Sequence, residues 1–331
     1  MARTPLPSSI VLELDTVQLD PGLVGLVEAV AASIAAQGAH VDADELVCIS
    51  SAAFSNYVFQ PHYNLHEEER REYSPHAELF SNYGPWASIG YYTPWTIREV
   101  SALGGADLLK LVAFELAHGR PPVVLDPDFR PDLLTRYEIS TEAKVVGDTS
   151  GRTWNLDQER LQSGSEVFDN WVLLVRPGEP QEWAASKARQ RIDVIRWAAE
   201  HGRNRKEFFQ ETRENYAPGI LGIQQFRGFL GSLTDLGSID YADRYVRRLR
   251  AARGAAAAVV PRWVDSIVEE LSDPDVAEPL AEAARQYGRT ADALAGDLPL
   301  VDAFEIVEEA ESRALEALEV ARAHFPSPFE G

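Results

Sequence analysis

Trp171-Val172-Leu173-Leu174-Val175-Arg176-Pro177-Gly178-Glu179-Pro180 is the stretch on which the fold turns. Its first half is an apolar, β-branched run of strand length. Its second half sets two prolines and a glycine where that strand must stop. Before it, short apolar runs alternate with Pro, Gly and aromatic residues. After it, Ala, Glu, Arg and Leu recur at helical spacing. A boundary at 180 therefore separates an α+β domain over 1–180 from a helical bundle over 181–331.

In the first part, Ile10 to Leu14 reads as a strand. Asp20-Pro21-Gly22 then opens a helix, with Asp20 as its cap, Pro21 at the first helical position and Gly38 at its end. Leu23, Leu26, Val27, Val30 and Ile34 supply one buried stripe. Further helices are expected over Asp44–Ala53 and near Gly105–Gly119, and strands at 122–125, 137–139, 144–146 and 171–175. Phe54 to Trp95 has no clean period and contains four prolines, so long loops with short helices are expected there. Beyond 180, helices are predicted near 181–201, 203–214, 218–234, 238–272, 274–292 and 298–324. The last carries an amphipathic stripe from Phe304 to Ala321.

The chain has 331 residues, 45% hydrophobic and 25% charged, with 31 Lys and Arg against 52 Asp and Glu, a formal net charge of −21. Such a surface repels a phosphate backbone, so no nucleic-acid partner is expected. No run of 18 apolar residues occurs, so no membrane partner is expected. Met1-Ala2-Arg3-Thr4-Pro5 lacks an apolar h-region, and a cytoplasmic location is expected. The single cysteine, Cys48, excludes an internal disulfide and a thiolate zinc cage. Set between Val47 and Ile49, it reads as a small core hydrophobe. Neither a Gly-x-Gly-x-x-Gly, a P-loop nor a Gly-x-Ser-x-Gly motif occurs, and no cofactor is expected.

Several segments together carry a family likeness: Asp44-Glu45-Leu46, Ser50-Ser51-Ala52-Ala53-Phe54, Gly119-Arg120-Pro121-Pro122-Val123-Val124, Gly147-Asp148, Trp171 to Gly178 and Gly219-Ile220-Leu221-Gly222. In this order, over roughly residues 10–235, the chain resembles the butirosin-biosynthesis BtrH-type proteins, relatives of C39-type papain-like cysteine peptidases. The resemblance implies a papain-like first domain with an antiparallel sheet. It also implies a nucleophilic cysteine at the start of the first long helix and a histidine on a facing strand. Here the helix starts with Asp20-Pro21-Gly22, and the strand reads Thr135-Arg136-Tyr137-Glu138, with Arg136 or Tyr137 where the histidine would stand. Asp148 or Asn155 matches the third position. The dyad is missing, so peptide hydrolysis through a thioester is not expected.

Asp20 then has two roles open to it. As a plain cap it fits Asp-Pro-Gly, and a helix N-terminus lowers a carboxylate's pKa and weakens it as a base. As the group in the thiol's place, it would remove a proton from whatever fills the groove. Asp15 is an outside candidate for the same task. His62 is the other candidate base, because imidazole carries protons near neutral pH. His62 and His66 stand four apart, but His-x-x-x-His-Glu is neither zinc motif of this kind, and no metal is assigned. Arg136 offers a permanently charged fork for a carboxylate, phosphate or sulfate, or else a salt bridge to Glu138 or Glu142. Tyr57, Tyr63, Trp86, Tyr91 and Trp95, with Tyr137, are candidate walls of a small-molecule pocket, or packing for long loops. Ser50-Ser51 could donate to an oxyanion, and Gln224, Gln225 or Arg227 could line a cleft.

The chemistry left by these residues is general-base work on a small, anionic biosynthetic intermediate, such as intramolecular displacement that closes a small ring as sulfate or phosphate leaves. The alternative is a catalytically inactive binding or scaffold subunit. A homodimer, or a hetero-partner from the same pathway, is the protein partner expected.

Overall fold

A computed structural model describes residues 8–14, 19, 22–59, 85–100, 105–125, 131–139, 144–154, 171–178, 186–203, 216–231 and 236–326. In chain order its elements begin with β1 (Ser9–Val11), α1 (Gly22–Ala36), α2 (Ala43–Ile49), β2 (Tyr57–Phe59), α3 (Pro85–Tyr92) and β3 (Trp95–Glu99). Next come α4 (Gly105–Ala117), β4 (Val123–Leu125), β5 (Pro131–Ile139), β6 (Lys144–Asp148), β7 (Thr153–Trp154) and β8 (Trp171–Pro177). The rest is α5 (Lys187–Gly202), β9 (Tyr216–Pro218), α6 (Gly219–Leu230), α7 (Leu236–Leu271), α8 (Ala277–Ala295) and α9 (Leu300–Ala323). Among the described residues no helix is long and apolar enough to cross a membrane. The architecture is mixed α+β with an antiparallel sheet.

Two compact units divide the chain. The first holds Met1–Ala43 and Ile89–Gln181, the second Asp44–Ser88 and Glu182–Gly331. The chain thus leaves the first unit one residue past the Pro177-Gly178-Glu179-Pro180 punctuation. Residues 44–88, however, belong with the helices rather than with the sheet.

The first unit holds a seven-stranded antiparallel sheet: six strands in the order β3-β8-β4-β5-β6-β7, and β1 off this path on β5. β5 is its pivot. One edge pairs with β6; the other is shared, with β4 along Pro131–Leu133 and β1 along Arg136–Glu138. Pro131 is tolerated because it opens the strand, where no ladder N–H is needed from it. α1 packs on β5, β4 and β8, and α4 on β5 and β1. Leu108, Val112, Leu116, Leu134, Val146 and Val172 form the core against α4. β3 was not foreseen within the loop-rich stretch. Trp95 to Glu99 pairs with Pro177 to Leu173, a non-local partner that local periodicity does not announce.

In the second unit, α7 runs through 36 residues, with Pro261 inside it. α8 packs on α7 and on α9, and α6 and α5 pack on α9. Phe226, Tyr245 and Phe304 meet at its centre, with Phe226 4.1 Å from Tyr245 and 4.8 Å from Phe304 by ring centroids. β2 pairs with β9 antiparallel, Tyr57 opposite Pro218. The expected helix over 44–53 stops at Ile49. Ser50 Oγ donates to the Val47 carbonyl, and Ser51 takes φ +67°, so the chain leaves the helix in a turn.

Phe304, fully buried in that aromatic group, leaves a large void when truncated. Phe304→Ala is expected to lower unfolding free energy by about 3–5 kcal/mol, read by urea denaturation followed through far-ultraviolet circular dichroism. A loss below about 1 kcal/mol would contradict this core.

Candidate functional site

Strand alternation decides what β5 can offer. Thr135 and Tyr137 are buried, Tyr137 in the core against α4, while Arg136 and Glu138 share the other face. Arg136 Nη2 donates to Glu138 Oε2 at 2.5 Å, with half of the arginine side chain exposed. The guanidinium offered as an anion holder is thus engaged by the carboxylate two residues on. Tyr91 is 40% exposed and meets Tyr92 edge-to-face at 4.8 Å. Trp95, half-buried, opens β3 opposite Pro177. The backbone of Tyr57 lies in β2 of the second unit; that of Trp86 lies in α3, which the division crosses between Ser88 and Ile89, with Trp86 on the second unit's part. The structure therefore places Tyr91, Trp95, Arg136 and Tyr137 in one unit and Tyr57 and Trp86 in the other. Asp20, His62 and Tyr63 lie outside the described residues, as do Asp15, His66 and Asn155. Asp148 accepts from Ser150 Oγ and the Arg152 N–H, closing the β6–β7 turn. Cys48 is wholly buried in α2. Gln224 and Arg227 of α6 donate to Glu308, and Arg227 also to Glu305.

In the first unit one buried carboxylate, Glu115, is met by two partly exposed arginines that no local sequence signal singles out. α4 ends in Glu115-Leu116-Ala117-His118-Gly119-Arg120. Gly119 adopts φ +70°, its N–H donates to the Leu116 carbonyl, and the Arg120 N–H donates to the Glu115 carbonyl. That is the Schellman turn, and it folds Arg120 back over Glu115. Arg120 Nε donates to Glu115 Oε2 at 2.6 Å, and Arg176 Nη2 of β8 donates to Oε1. Glu115 is 1% exposed; the two arginine side chains are 22% and 37% exposed. Val172, Leu174 and Arg176 alternate onto the face that meets α4, so Arg176 stands where that face stops being apolar. Among the described residues its Nε is buried without a partner.

The second unit has a denser polar cluster. Arg253 Nε and Nη2 donate to the two oxygens of Glu311 at 2.7 and 2.9 Å, Nη1 to the Ala53 carbonyl at 2.5 Å, and Thr290 Oγ1 adds a bond to Glu311. Burial alone would lower the Arg253 pKa; the facing Glu311 carboxylate more than offsets it and holds the guanidinium charged. Burial pushes the Tyr287 phenol up, so it stays a neutral hydroxyl. Beside them, Arg253, Glu311, Tyr287, Phe54 and Gly219 border a cavity of about 20 Å³, room for one water. Asn56, 1% exposed, is saturated. Its carbonyl takes the Gly219 N–H, its Nδ2 donates to the Gly219 carbonyl, and its Oδ1 accepts from Tyr245. Its own N–H donates to His201 Nε2 at 3.2 Å. Both Glu311 oxygens are bonded inside the unit, and this cluster clamps residues 53–56 onto α5, α6, α7 and α9.

His201 is the titratable member of that clamp. It stacks on Trp197 at 4.8 Å, and burial lowers its pKa from 6.5 to about 4. Because Nε2 accepts the Asn56 N–H, protonation would set two N–H groups against each other. The depressed pKa makes the folded state bind fewer protons than the unfolded one. Stability is then intact above about pH 6.5, falls as pH drops toward 4 and levels below, by at most about 3 kcal/mol. Urea midpoints at pH 7 and pH 4.5 test this, with His201→Gln expected to shed most of the difference. An unchanged difference would remove His201 from the account.

Among the described residues, no group of three or more His, Cys, Asp or Glu side chains is arranged to hold a metal ion. No family model matches the chain, and no curated protein matches it.

Proposed function

We propose that the first unit is a papain-like scaffold that has lost its thiol dyad and acts in specialised metabolism on a small, anionic intermediate by general-base chemistry. The observation that carries this is the segregation of the thiol. α1 and β5, the helix and strand that would bear a cysteine–histidine pair, pack together in one unit. The sole cysteine lies in α2 of the other unit, with no exposed surface. A thiolate must be accessible to attack, and Cys48 is not.

With no thiol at hand, Asp20 at the head of α1 and His62 are the proposed bases. Ring closure by intramolecular displacement, as in aziridine formation, illustrates the class. The base takes a proton from an amine, the nitrogen attacks a neighbouring carbon, and the carbon–oxygen bond to sulfate or phosphate breaks. Holding amine and leaving group in one attack geometry supplies up to about 7–11 kcal/mol of the barrier. A cytoplasmic enzyme without a cofactor, working as a homodimer or with a hetero-partner of its pathway, is consistent with this chemistry.

One observation favours a second function, a catalytically inactive binding or scaffold subunit: Arg136, the β5 side chain suited to an anionic substrate, is already engaged by Glu138. Sulfate release from amine substrates bearing a sulfate ester separates the two. Asn caps a helix as well as Asp, so Asp20→Asn isolates basicity from folding. Asp20→Asn or His62→Ala is expected to lower kcat about 100-fold or more, and Cys48→Ala to leave it within about twofold. Full activity in both base variants, or inactivation by Cys48→Ala, would overturn the general-base mechanism. Binding without any turnover would favour the scaffold.

A further inference from the structure

We propose that Arg120 and Arg176, with Thr96, form a binding site for a tetrahedral oxyanion such as phosphate or sulfate, outside the general-base position. The charge count is the first reason. Glu115 is one carboxylate against two guanidiniums, so the cluster keeps a positive charge in a chain of net −21. A structural pair needs only one cation, as Arg253 and Glu311 show in the second unit.

Accessibility is the second reason. The carboxylate is sealed at 1% while both arginines reach solvent. An incoming anion therefore meets guanidinium before it meets Glu115. Each guanidinium is one hydrogen bond from a different oxygen of the same carboxylate, so the two converge on one group. Third, Arg176 Nε is buried without a partner among the described residues. An orphaned charged donor of this kind calls for an acceptor. Thr96 is the cross-strand partner of Arg176, so its side chain stands on the same face and can add a hydroxyl donor. Phe114 lies under the Arg120 guanidinium at 5.7 Å, with the tilted His118 ring 4.2 Å from its own.

The walls of this site are held by the C-terminal end of α1 and the turn that follows it. Ser33 Oγ donates to the Pro121 carbonyl beside Arg120, and Gln37 Nε2 to the Val175 carbonyl beside Arg176. The site is thus at the C-terminal end of α1, away from Gly22. Anion binding there does not require turnover, so the two can fail separately.

Equilibrium dialysis of the full chain against radiolabelled sulfate and inorganic phosphate, at ionic strength matched with chloride, tests the site. Saturable binding is expected, weakened about tenfold or more by Arg120→Gln or Arg176→Gln and unaffected by Arg136→Gln. Where an arginine variant fails to fold by circular dichroism, Thr96→Val serves instead, with weakening of several-fold expected. A methyl phosphate arm distinguishes an organic ester from the free ion: tighter binding than phosphate assigns an esterified ligand, weaker binding the inorganic one. Absence of saturable binding, equal displacement by chloride, or unchanged affinity in every folded variant would overturn the proposal.

Discussion

A carboxylate sealed inside a protein must be met by a cation, because an isolated buried charge costs more than a domain can spare. Both units of this chain are organised around one such residue. In the second unit, Glu311 is matched by a single arginine as buried as itself, and every donor of that pair has an internal acceptor. The result is a clamp that ties residues 53–56 into the helices and offers nothing to a ligand. In the first unit, Glu115 is over-matched, by two arginines that stay open to water. The same electrostatic constraint therefore gives a structural lock in one place and a surplus of accessible positive charge in the other.

How much of this could be read from residue order depends on the range of the interaction. The helices beyond 180 announce themselves because their stripes repeat every three or four residues, and four of the six expected spans closely match α6 to α9. The break after β8 is equally local, since proline and glycine stop a strand wherever it leads. β5 was only partly legible: Tyr137 to Ile139 was expected as strand, but Pro131 hid its beginning. The membership of residues 44–59 was not legible at all. α2 looks like any short amphipathic helix, and its placement depends on Arg253 reaching the Ala53 carbonyl, on Asn56 meeting Tyr245, and on β2 finding β9. These partners stand 160 to 200 positions apart, and nothing in a local window records them.

The anion holder illustrates the same limit. Arg136 on its strand reads either as an anion holder or as the partner of Glu138, and the structure takes the second, since Glu138 stands two residues on, on the same face by simple alternation. Arg120 and Arg176 carry no such local signal of chemistry. Arg120 sits in a helix-ending Gly-Arg that reads as capping, and Arg176 sits in a Pro-Gly-rich strand end that reads as punctuation. Only the sheet order, which sets β8 beside β4 and its Arg176 against the end of α4, brings their charges onto one carboxylate. A helix-end signal and a strand-end signal thus combined into a chemical feature that neither contains.

The geometry of α1 sets a condition on any chemistry in the first unit. From Gly22 to Ser33 the helix rises by about 16 Å, so a group at its head and the arginines held at its foot are too far apart for one small molecule to touch both. A compact substrate processed at the N-terminus of α1 therefore cannot place its own sulfate or phosphate between Arg120 and Arg176. If the base is at Asp20, the anion bound at the arginines is a second molecule, and α1 offers it a route to the base, because Ser33 of α1 and Gln37 just after it grip the backbone next to both arginines. If instead the oxyanion at the arginines belongs to the substrate itself, the reacting groups lie at the C-terminal end of α1, and the vacated thiol position has no part in the reaction.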